Sequence, residues 1–348
     1  LWSSKETPAI RVSGHWWVPE TRMRIDEDGG HIVPGMVCAW WYDGEKMHEP
    51  LLMKECMMAA IDDKHPLWPE ESQGEGEGAG AVIPLTGEDL SFGLRPGKTA
   101  FWLNLTADAE MVAGGAPKDF KIEMTPWWER SSSAQYHHNV YGMGMGYDIL
   151  RIHGMKATMQ VDDEIVEGSA YIQKVSVQAP SFPWFWGMLH FDDGSYLDWF
   201  LPHASPSFTM KDDSPWSLRD FVRWPNIGTG LFHDASRDRT ESFQRCSVEL
   251  EMQEGEDALF DERGNSLPRF KIKVWNGRTQ ISLIVRATNR ARWMFDQPTR
   301  AGFVSHLTYN EYPLEVEKIA ILDERGLRTA DDYEWIRGNG EHAWGLLN

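Results

Sequence analysis

Two runs of the chain gather the residue types that do chemistry. The first, QYHHNVYGMGMGYD over 135–148, holds His137, His138, Asn139, Tyr141, Tyr147 and Asp148. An imidazole titrates near neutral pH, so His138 or His137 is a candidate proton shuttle. Neighbouring residues of a strand point to opposite faces, so the two histidines cannot serve one pocket together. With no HxH and no HExxH elsewhere, no metal is expected. Gly142, Gly144 and Gly146 alternate with Met143, Met145 and Tyr147, which leaves room for close backbone approach or for a ligand.

The second run, SFPWFWGMLHFDDGSYLDWF over 181–200, packs Trp184, Phe185, Trp186, Phe191, Tyr196, Trp199 and Phe200 around His190 and three aspartates. Few polar groups among many aromatic ones is the composition of a small-molecule site. It is equally the composition of a core whose His190 and Asp198 are satisfied by neighbours. A buried aspartate has its pKa raised, so Asp198 or Asp148 is a candidate acid if it is buried. Other chemistries lack their motifs. There is no GxSxG, no GxGxxG and no P-loop, so neither a serine hydrolase nor a nucleotide cofactor is expected. No sequence feature pairs a cysteine with a histidine. Carboxylates are abundant, but nothing singles out two of them for glycoside hydrolysis.

The elements that must position these residues read as strands. Turn signals recur at Asp28-Gly29-Gly30, Asp43-Gly44, Arg95-Pro96-Gly97, Asp193-Gly194, Asn276-Gly277 and Arg325-Gly326. Between them lie short runs rich in β-branched and aromatic residues, such as 100–105, 157–161, 170–177, 247–252, 270–275 and 279–285. Short strands with frequent turns predict an antiparallel all-β protein, sandwich or barrel. Helices are expected over 214–224, where Leu218, Phe221 and Val222 fall at helical spacing, and over 329–337. The run 49–61 is apolar without clean periodicity. The stretch EESQGEGEGAG over 70–80 reads as a solvated loop, and 203–217 as a linker. A boundary near residue 206 divides the chain into domains of 1–205 and 206–348.

The Asp193-Gly194 step predicts a tight hairpin. A two-residue turn pairs Asp192 with Ser195, His190 with Leu197 and Trp186 with Leu201. One face then carries Trp184, Trp186, Met188, His190, Leu197 and Trp199. The other carries Phe185, Leu189, Phe191, Tyr196, Asp198 and Phe200. Neither face is polar, so both are expected to be covered.

Composition bounds the rest. The chain has 348 residues, 41% hydrophobic and 25% charged, which is globular and ample for two domains. A net charge of −19 repels phosphate backbones, so nucleic acid is an unexpected partner. No apolar run reaches the roughly 20 residues of a membrane helix. Cys38, Cys56 and Cys246 lie far apart and suggest neither a zinc site nor a disulfide framework, in keeping with a reducing, cytoplasmic setting. The 18 tryptophans fit either core filling or the lining of an apolar or sugar ligand site. His15 and Trp127-Trp128-Glu129 are read as packing residues rather than cavity lining. A homodimer is the default expectation for an oligomer.

The segment EGSAYIQKVSV over 167–177, followed by PWFWGMLHFDDGSYLDWF, resembles a pattern of the carotenoid 1,2-hydratase-like proteins, also called AttH-like or hydroxyneurosporene-synthase-like. The matching positions are Gly168 and Tyr171, then Trp184, Trp186, Phe191, Asp193 and Gly194. YHHNVYG over 136–142 is similar to a histidine-bearing strand of that family. GFVSHLTYNEYPLEV over 302–316 is similar to its closing segment through Tyr309 and Glu311. The resemblance covers about 135–200 and, more faintly, 302–316. It implies two lipocalin-like β-barrels in tandem with a hydrophobic pocket, and relatives that hydrate terpenoid double bonds or cyclise polyenes without a cofactor. His138, His137, Tyr171 and Asp198 are then the expected catalytic groups. Gln173, Trp184, Trp186, His190, Tyr141, Asp148, Tyr309 and Glu311 are the expected substrate contacts. One departure stands out. The family places an acid two residues after the tyrosine, where this chain has Gln173, and an amide cannot protonate an alkene.

Three functions follow from these residues. The first is a cofactor-free lyase, hydratase, isomerase or cyclase acting on a terpenoid, polyketide or aromatic molecule by acid–base catalysis. The second is a carrier of a hydrophobic ligand, which the loss of the acid at Gln173 favours. The third is a carbohydrate-active protein, which the tryptophans and carboxylates favour and the scarcity of polar groups in the hairpin disfavours.

Overall fold

Alternation of apolar and polar residues sets most of the strands. In 119–126, Phe120, Ile122 and Met124 are buried between exposed Lys121, Glu123 and Thr125. In 280–287, Ile281, Leu283, Val285 and Ala287 are buried in the same way. Each run presents one face to a core, as a period of two requires. The computed structural model describes residues 2–3, 11–17, 24–69, 72–85, 90–108, 119–127, 134–142, 145–178, 184–202, 228–298 and 304–346. The outcome is an all-β architecture of two large antiparallel sheets, with short 3₁₀ turns as at Pro96–Lys98 and Ala235–Arg237.

The first sheet comprises β1 (Trp2–Ser3), β2 (Arg11–Trp17), β3 (Arg24–Ile25), β4 (His31–Tyr42), β5 (Met47–Asp62), β6 (Gly80–Pro84), β7 (Leu90–Leu94), β8 (Phe101–Thr106), β9 (Asp119–Pro126), β10 (Ala134–Gly142), β11 (Met145–Val161) and β12 (Glu164–Gln178). Its order is β10-β11-β12-β1-β2-β4-β5-β6-β7-β8-β9, with β3 paired to β4. β9 also pairs with β11, so the sheet returns on itself and leaves few edges to protect. The ambiguous run 49–61 lies within β5, and residues 73–78 of the acidic loop are exposed as expected.

The second sheet comprises β13 (Trp184–Phe191), β14 (Tyr196–Pro202), β15 (Thr229–Asp234), β16 (Arg239–Phe243), β17 (Arg245–Met252), β18 (Pro268–Trp275), β19 (Gln280–Ala287), β20 (Ala291–Pro298), β21 (Val304–Asp323), β22 (Gly326–Thr329) and β23 (Ile336–Leu346). Its order is β16-β15-β14-β13-β23-β21-β19-β18-β17, with β20 and β22 paired to β21. The sheet curls until β14 and β15 meet β17. Phe185, Leu197, Phe243, Val248, Ile272, Leu283 and Tyr312 fill the enclosed core.

By its contacts the chain divides into two compact units. One comprises Leu1–Gly44, His48–Ser133 and Gly154–Tyr171. The other comprises Glu45–Met47, Ala134–His153 and Ile172–Asn348. The second unit therefore includes 172–202, ahead of the boundary read near 206, because β13 and β14 are hydrogen-bonded into its barrel. Residue 206 itself, the linker 203–217 and the helix expected over 214–224 lie outside the described residues.

The helix expected over 329–337 does not form. Thr329 and Asp332 make a reciprocal capping box, but it starts a single 3₁₀ turn, Ala330–Asp332. Tyr333 is already extended, and β23 follows from Ile336, paired on one side with β13 and on the other with β21. Ladder bonds along two neighbours outweigh a local capping preference.

Candidate functional site

The 184–202 hairpin folds with its register one residue away from the sequence expectation. His190 pairs with Tyr196, Met188 with Asp198 and Trp186 with Phe200. The loop holds three residues, Asp192, Asp193 and Gly194. Gly194 N–H donates to Phe191 O at 3.1 Å, and Phe191 N–H to Ser195 O at 3.0 Å. Gly194 sits at φ +86°, the left-handed position that closes such a loop, and the Asp193 carboxylate accepts from Ser195 N–H at 2.8 Å. A slip of one residue turns every side chain of a strand over. Tyr196, Asp198 and Phe200 thus share a face with Trp184, Trp186, Met188 and His190, while Leu197 and Trp199 join Phe185, Leu189 and Phe191 in the barrel core. The Trp199 ring lies across Gly187, its strand partner. Both faces are covered, as both apolar faces predicted.

The outer face carries a buried polar cluster around Asp198, which is 5% exposed. Asp198 Oδ2 accepts from Arg151 Nη1 at 3.1 Å and from His153 Nε2 at 3.1 Å. Arg151 and His153 are two residues apart on β11, so both project from the same side of that strand. Arg151 Nε donates to Gln173 Oε1 at 2.5 Å, and the guanidinium lies 5.3 Å from the centre of the Trp186 ring. Burying a lone carboxylate costs several kcal/mol, and a cation with a second donor offsets that cost. The cluster therefore holds Asp198 as an acceptor for two donors, and ties Gln173 to it through Arg151.

Around that pair the rings are ordered. His153 stacks on Tyr196 at 5.0 Å and 9°, and Tyr196 stacks on His233 at 5.1 Å and 14°. His190 Nε2 donates to the His153 carbonyl oxygen at 2.6 Å. Burial drives the His190 pKa down to about 3, so the ring is a neutral donor at physiological pH. Burial, and then the Asp198 charge, raise the Tyr196 hydroxyl, which stays protonated. Burial likewise lowers His233, whose Nδ1 lies 2.9 Å from Thr240 Oγ1. Burial, and then Asp198, push the Cys246 thiol up to about 12, so Cys246 is no nucleophile at neutral pH.

A second group lies on the same sheet face, one strand further on. Trp184 and Tyr309 flank Ala343, with ring centres 6.2 Å apart. Trp186 stands beside Glu341, and Glu341 stands opposite Glu311 on β21. Trp184 Nε1 donates to Glu341 Oε2 at 3.2 Å, and Asn339 Nδ2 donates to Glu311 Oε1 at 3.2 Å. Trp293 meets Tyr309 edge to face at 5.3 Å. The structure so brings together Asp198, Gln173, His190, Trp184, Trp186, Tyr309 and Glu311 of the expected site residues.

His137, His138 and Tyr141 lie on β10, with His138 opposite Asp148, and their side chains are outside the described residues. Tyr171 is half-buried and belongs to the first unit. Asp148 is only partly buried and accepts from the exposed Tyr136 hydroxyl at 2.7 Å, so the burial required of it as an acid is not met. Sequence reasoning missed Arg151, His153, Asn339 and Glu341. Arg151 and His153 carried a usable signal, two basic residues at i and i+2 set among Ile149, Leu150, Ile152 and Gly154. Among the described residues, no group of three or more histidine, cysteine, aspartate or glutamate side chains is placed to hold a metal ion. No helix among them is long and apolar enough to cross a membrane.

No family model matches the chain, and no curated protein matches it. Among solved structures, the chain is similar to a protein assigned as an AttH from Nitrosomonas europaea, at 14% identity over 96% of this chain and 91% of that one, with a TM-score of 0.42. It is also similar to kievitone hydratase from Nectria haematococca, at 9% identity over 96% of this chain and 87% of that one, with a TM-score of 0.29. Scores this low carry no argument about function, which rests on the side chains.

Proposed function

We propose that this protein is a cofactor-independent enzyme of the lyase, hydratase, isomerase or cyclase kind, acting on a hydrophobic small molecule by acid–base catalysis. The observation that carries this reading is the buried His153–Asp198 pair, held by Arg151 against Trp186. A carboxylate beside an imidazole fixes its tautomer and stabilises its protonated form. In a hydration, His153 gives its proton to one alkene carbon. Water adds to the other carbon and returns a proton to the ring. The net change is one water added, and nothing is oxidised or reduced. In an isomerisation or cyclisation the same pair takes a proton from one position and returns it at another. Aromatic faces such as Trp186 stabilise a developing cation. Tyr171, His138 and His137 stay in this reading as further proton donors.

The test is a comparison by liquid chromatography and mass spectrometry. The protein and its Asp198→Asn variant are incubated with a lipophilic cell extract, in water and in D₂O. A compound that gains the mass of water, takes up deuterium or changes retention at constant mass, with wild type only, supports the reading. No turnover of any compound by the wild type refutes it.

A second reading, a carrier of a hydrophobic ligand, is favoured by Gln173. The residue occupies the acid's place in the resembled pattern and is committed to Arg151. It predicts compounds that are retained by the protein and recovered unchanged.

A further inference from the structure

The outer face of the second sheet carries a feature that chemistry at Asp198 does not use. Strand pairing lines up two rows of side chains across β17, β18, β19 and β21. One row is Ser247, Lys273, Ser282 and Ala320, continued on β22 by Thr329. The next is Glu249, Lys271, Ile284 and Lys318. Directly opposed residues share a face, so both rows stand on the same side of the sheet. The floor is low because Ser247, Ser282 and Ala320 are small. The long neighbours are drawn aside. Lys271 Nζ reaches Glu251 Oε1 at 2.5 Å, Lys273 Nζ lies 5.5 Å from the centre of the Trp275 ring, and Arg269 Nη2 donates to Glu317 Oε1 at 2.8 Å. What remains is an open cavity of about 700 Å³, bounded at its β22 end by Thr329, Ala330 and Asp331. That volume is ample for a small molecule.

We propose that this cavity binds a small planar carboxylate, its anionic group above Ser282 between Lys273 and Lys318 and its ring on Ala320 and Ile284. Neighbouring strands lie about 4.8 Å apart, so Lys273 and Lys318, on either side of β19, both reach a group placed over that strand. Neither lysine makes an ion pair among the described residues, so each ammonium has donors to give. Ser282 Oγ accepts from Gln280 Nε2 at 3.4 Å and can donate its own hydrogen to a ligand oxygen. A sheet floor of small side chains is flat, which suits a ring, and the partly exposed Ile284 is covered by it. Charge selects a monoanion. Glu249, Glu317 and Asp331 also border the cavity, so a second negative charge on the ligand would be repelled, as on a phosphate dianion. The chain as a whole carries −19, so an anion is drawn here by these local groups and not by the overall field. The site shares no residue with the Asp198 cluster and does not depend on turnover there.

The experiment is isothermal titration calorimetry on the full chain with four probes: 1-naphthoate, 1-naphthylmethanol, 1-naphthylmethylammonium and inorganic phosphate. Naphthoate is expected to bind saturably, about tenfold more tightly than the alcohol. The ammonium and phosphate should not bind. Lys273→Gln and Lys318→Gln should each weaken naphthoate about tenfold while leaving the alcohol unchanged. Both lysines are exposed, so neither variant disturbs the core. Ser282→Leu should fill the floor and abolish binding. Lys64→Gln, at an exposed lysine of the first unit, should change nothing. Equal binding of the alcohol and naphthoate overturns the proposal, as does phosphate binding tighter than naphthoate. So does naphthoate binding that neither Lys273→Gln nor Lys318→Gln weakens, because the ligand is then elsewhere. A lack of saturable naphthoate binding up to about 10 mM overturns it as well. The comparison of probes on the wild type decides the matter even where a variant fails to fold.

Discussion

His190 makes the fold sensitive to acid in a way that can be worked out in advance. The ring is fully buried and donates to the His153 carbonyl, and burial lowers its pKa from an ordinary 6.5 to about 3. The unfolded chain therefore binds a proton below pH 6.5 that the folded chain refuses. Stability is unaffected above 6.5 and falls progressively as the pH drops from 6.5 towards 3. Each pH unit in that window costs about 1.4 kcal/mol, so at pH 5 the loss from this one residue is about 2 kcal/mol. The perturbation is His190→Gln, whose Nε2 reaches to about the same place and keeps a donor for the carbonyl. Other titrating groups on this face, His153, Tyr196 and Asp198 among them, stay in both proteins and cancel in the difference. The assay is urea unfolding of wild type and variant at pH 7, 6 and 5. The variant is expected to be the less stable protein at pH 7 because it packs less well. The gap should close by about 2 kcal/mol at pH 5. Two stability curves that run parallel from pH 7 to 5 would refute the reasoning, because they would mean that His190 can take a proton in the folded state.

Arg151→Met should destabilise the protein by about 3–5 kcal/mol, by leaving Asp198 buried without its cation, and adding Asp198→Asn should recover much of that loss in thermal melts. Gly338→Ala should cost about 3 kcal/mol or prevent folding, because its Cβ would run into the Met188 carbonyl oxygen, which is backbone and cannot swing aside. Gly277→Ala, by contrast, meets nothing and pays only for its φ of +88°, so circular dichroism melts should separate the two. Iodoacetamide at pH 8 should label none of Cys38, Cys56 and Cys246 in the native protein and all three in denaturant, since all are buried and the Cys246 thiol is pushed up to about 12. Labelling of the native protein at Cys246, read by peptide mass mapping, would contradict that burial.

Much of the architecture was legible because strands announce themselves by alternation and turns by Gly. The runs 247–252 and 270–275 fall within β17 and β18, and 279–285 overlaps β19 from Gln280 on; in each, one face is core and the other is more open. The expected helix over 329–337 shows the limit of that reading. Its capping box is real, but a local signal gives one turn when the next residues can pair along both β13 and β21. Nothing within that segment reports the partners waiting for it.

The hairpin at Asp193-Gly194 shows the same limit at the scale of a single residue, and there it decides the chemistry. Both a two-residue and a three-residue loop satisfy a Gly at that point. With both faces apolar, the hydrophobic pattern that normally fixes register has no preference between them. What settles it lies outside the local pattern of apolar residues. Trp199 needs a Gly opposite, which Gly187 supplies, and Asp198 needs donors, which Arg151 and His153 on β11 supply. In the other register Asp198 would face the apolar barrel core, away from those donors, at a cost of several kcal/mol. The buried polar residue therefore acts as a register marker as well as a chemical group. Residues that make a sheet choose one face and residues that hold a proton are here the same ones, and so the site stayed hidden until the strand partners were known.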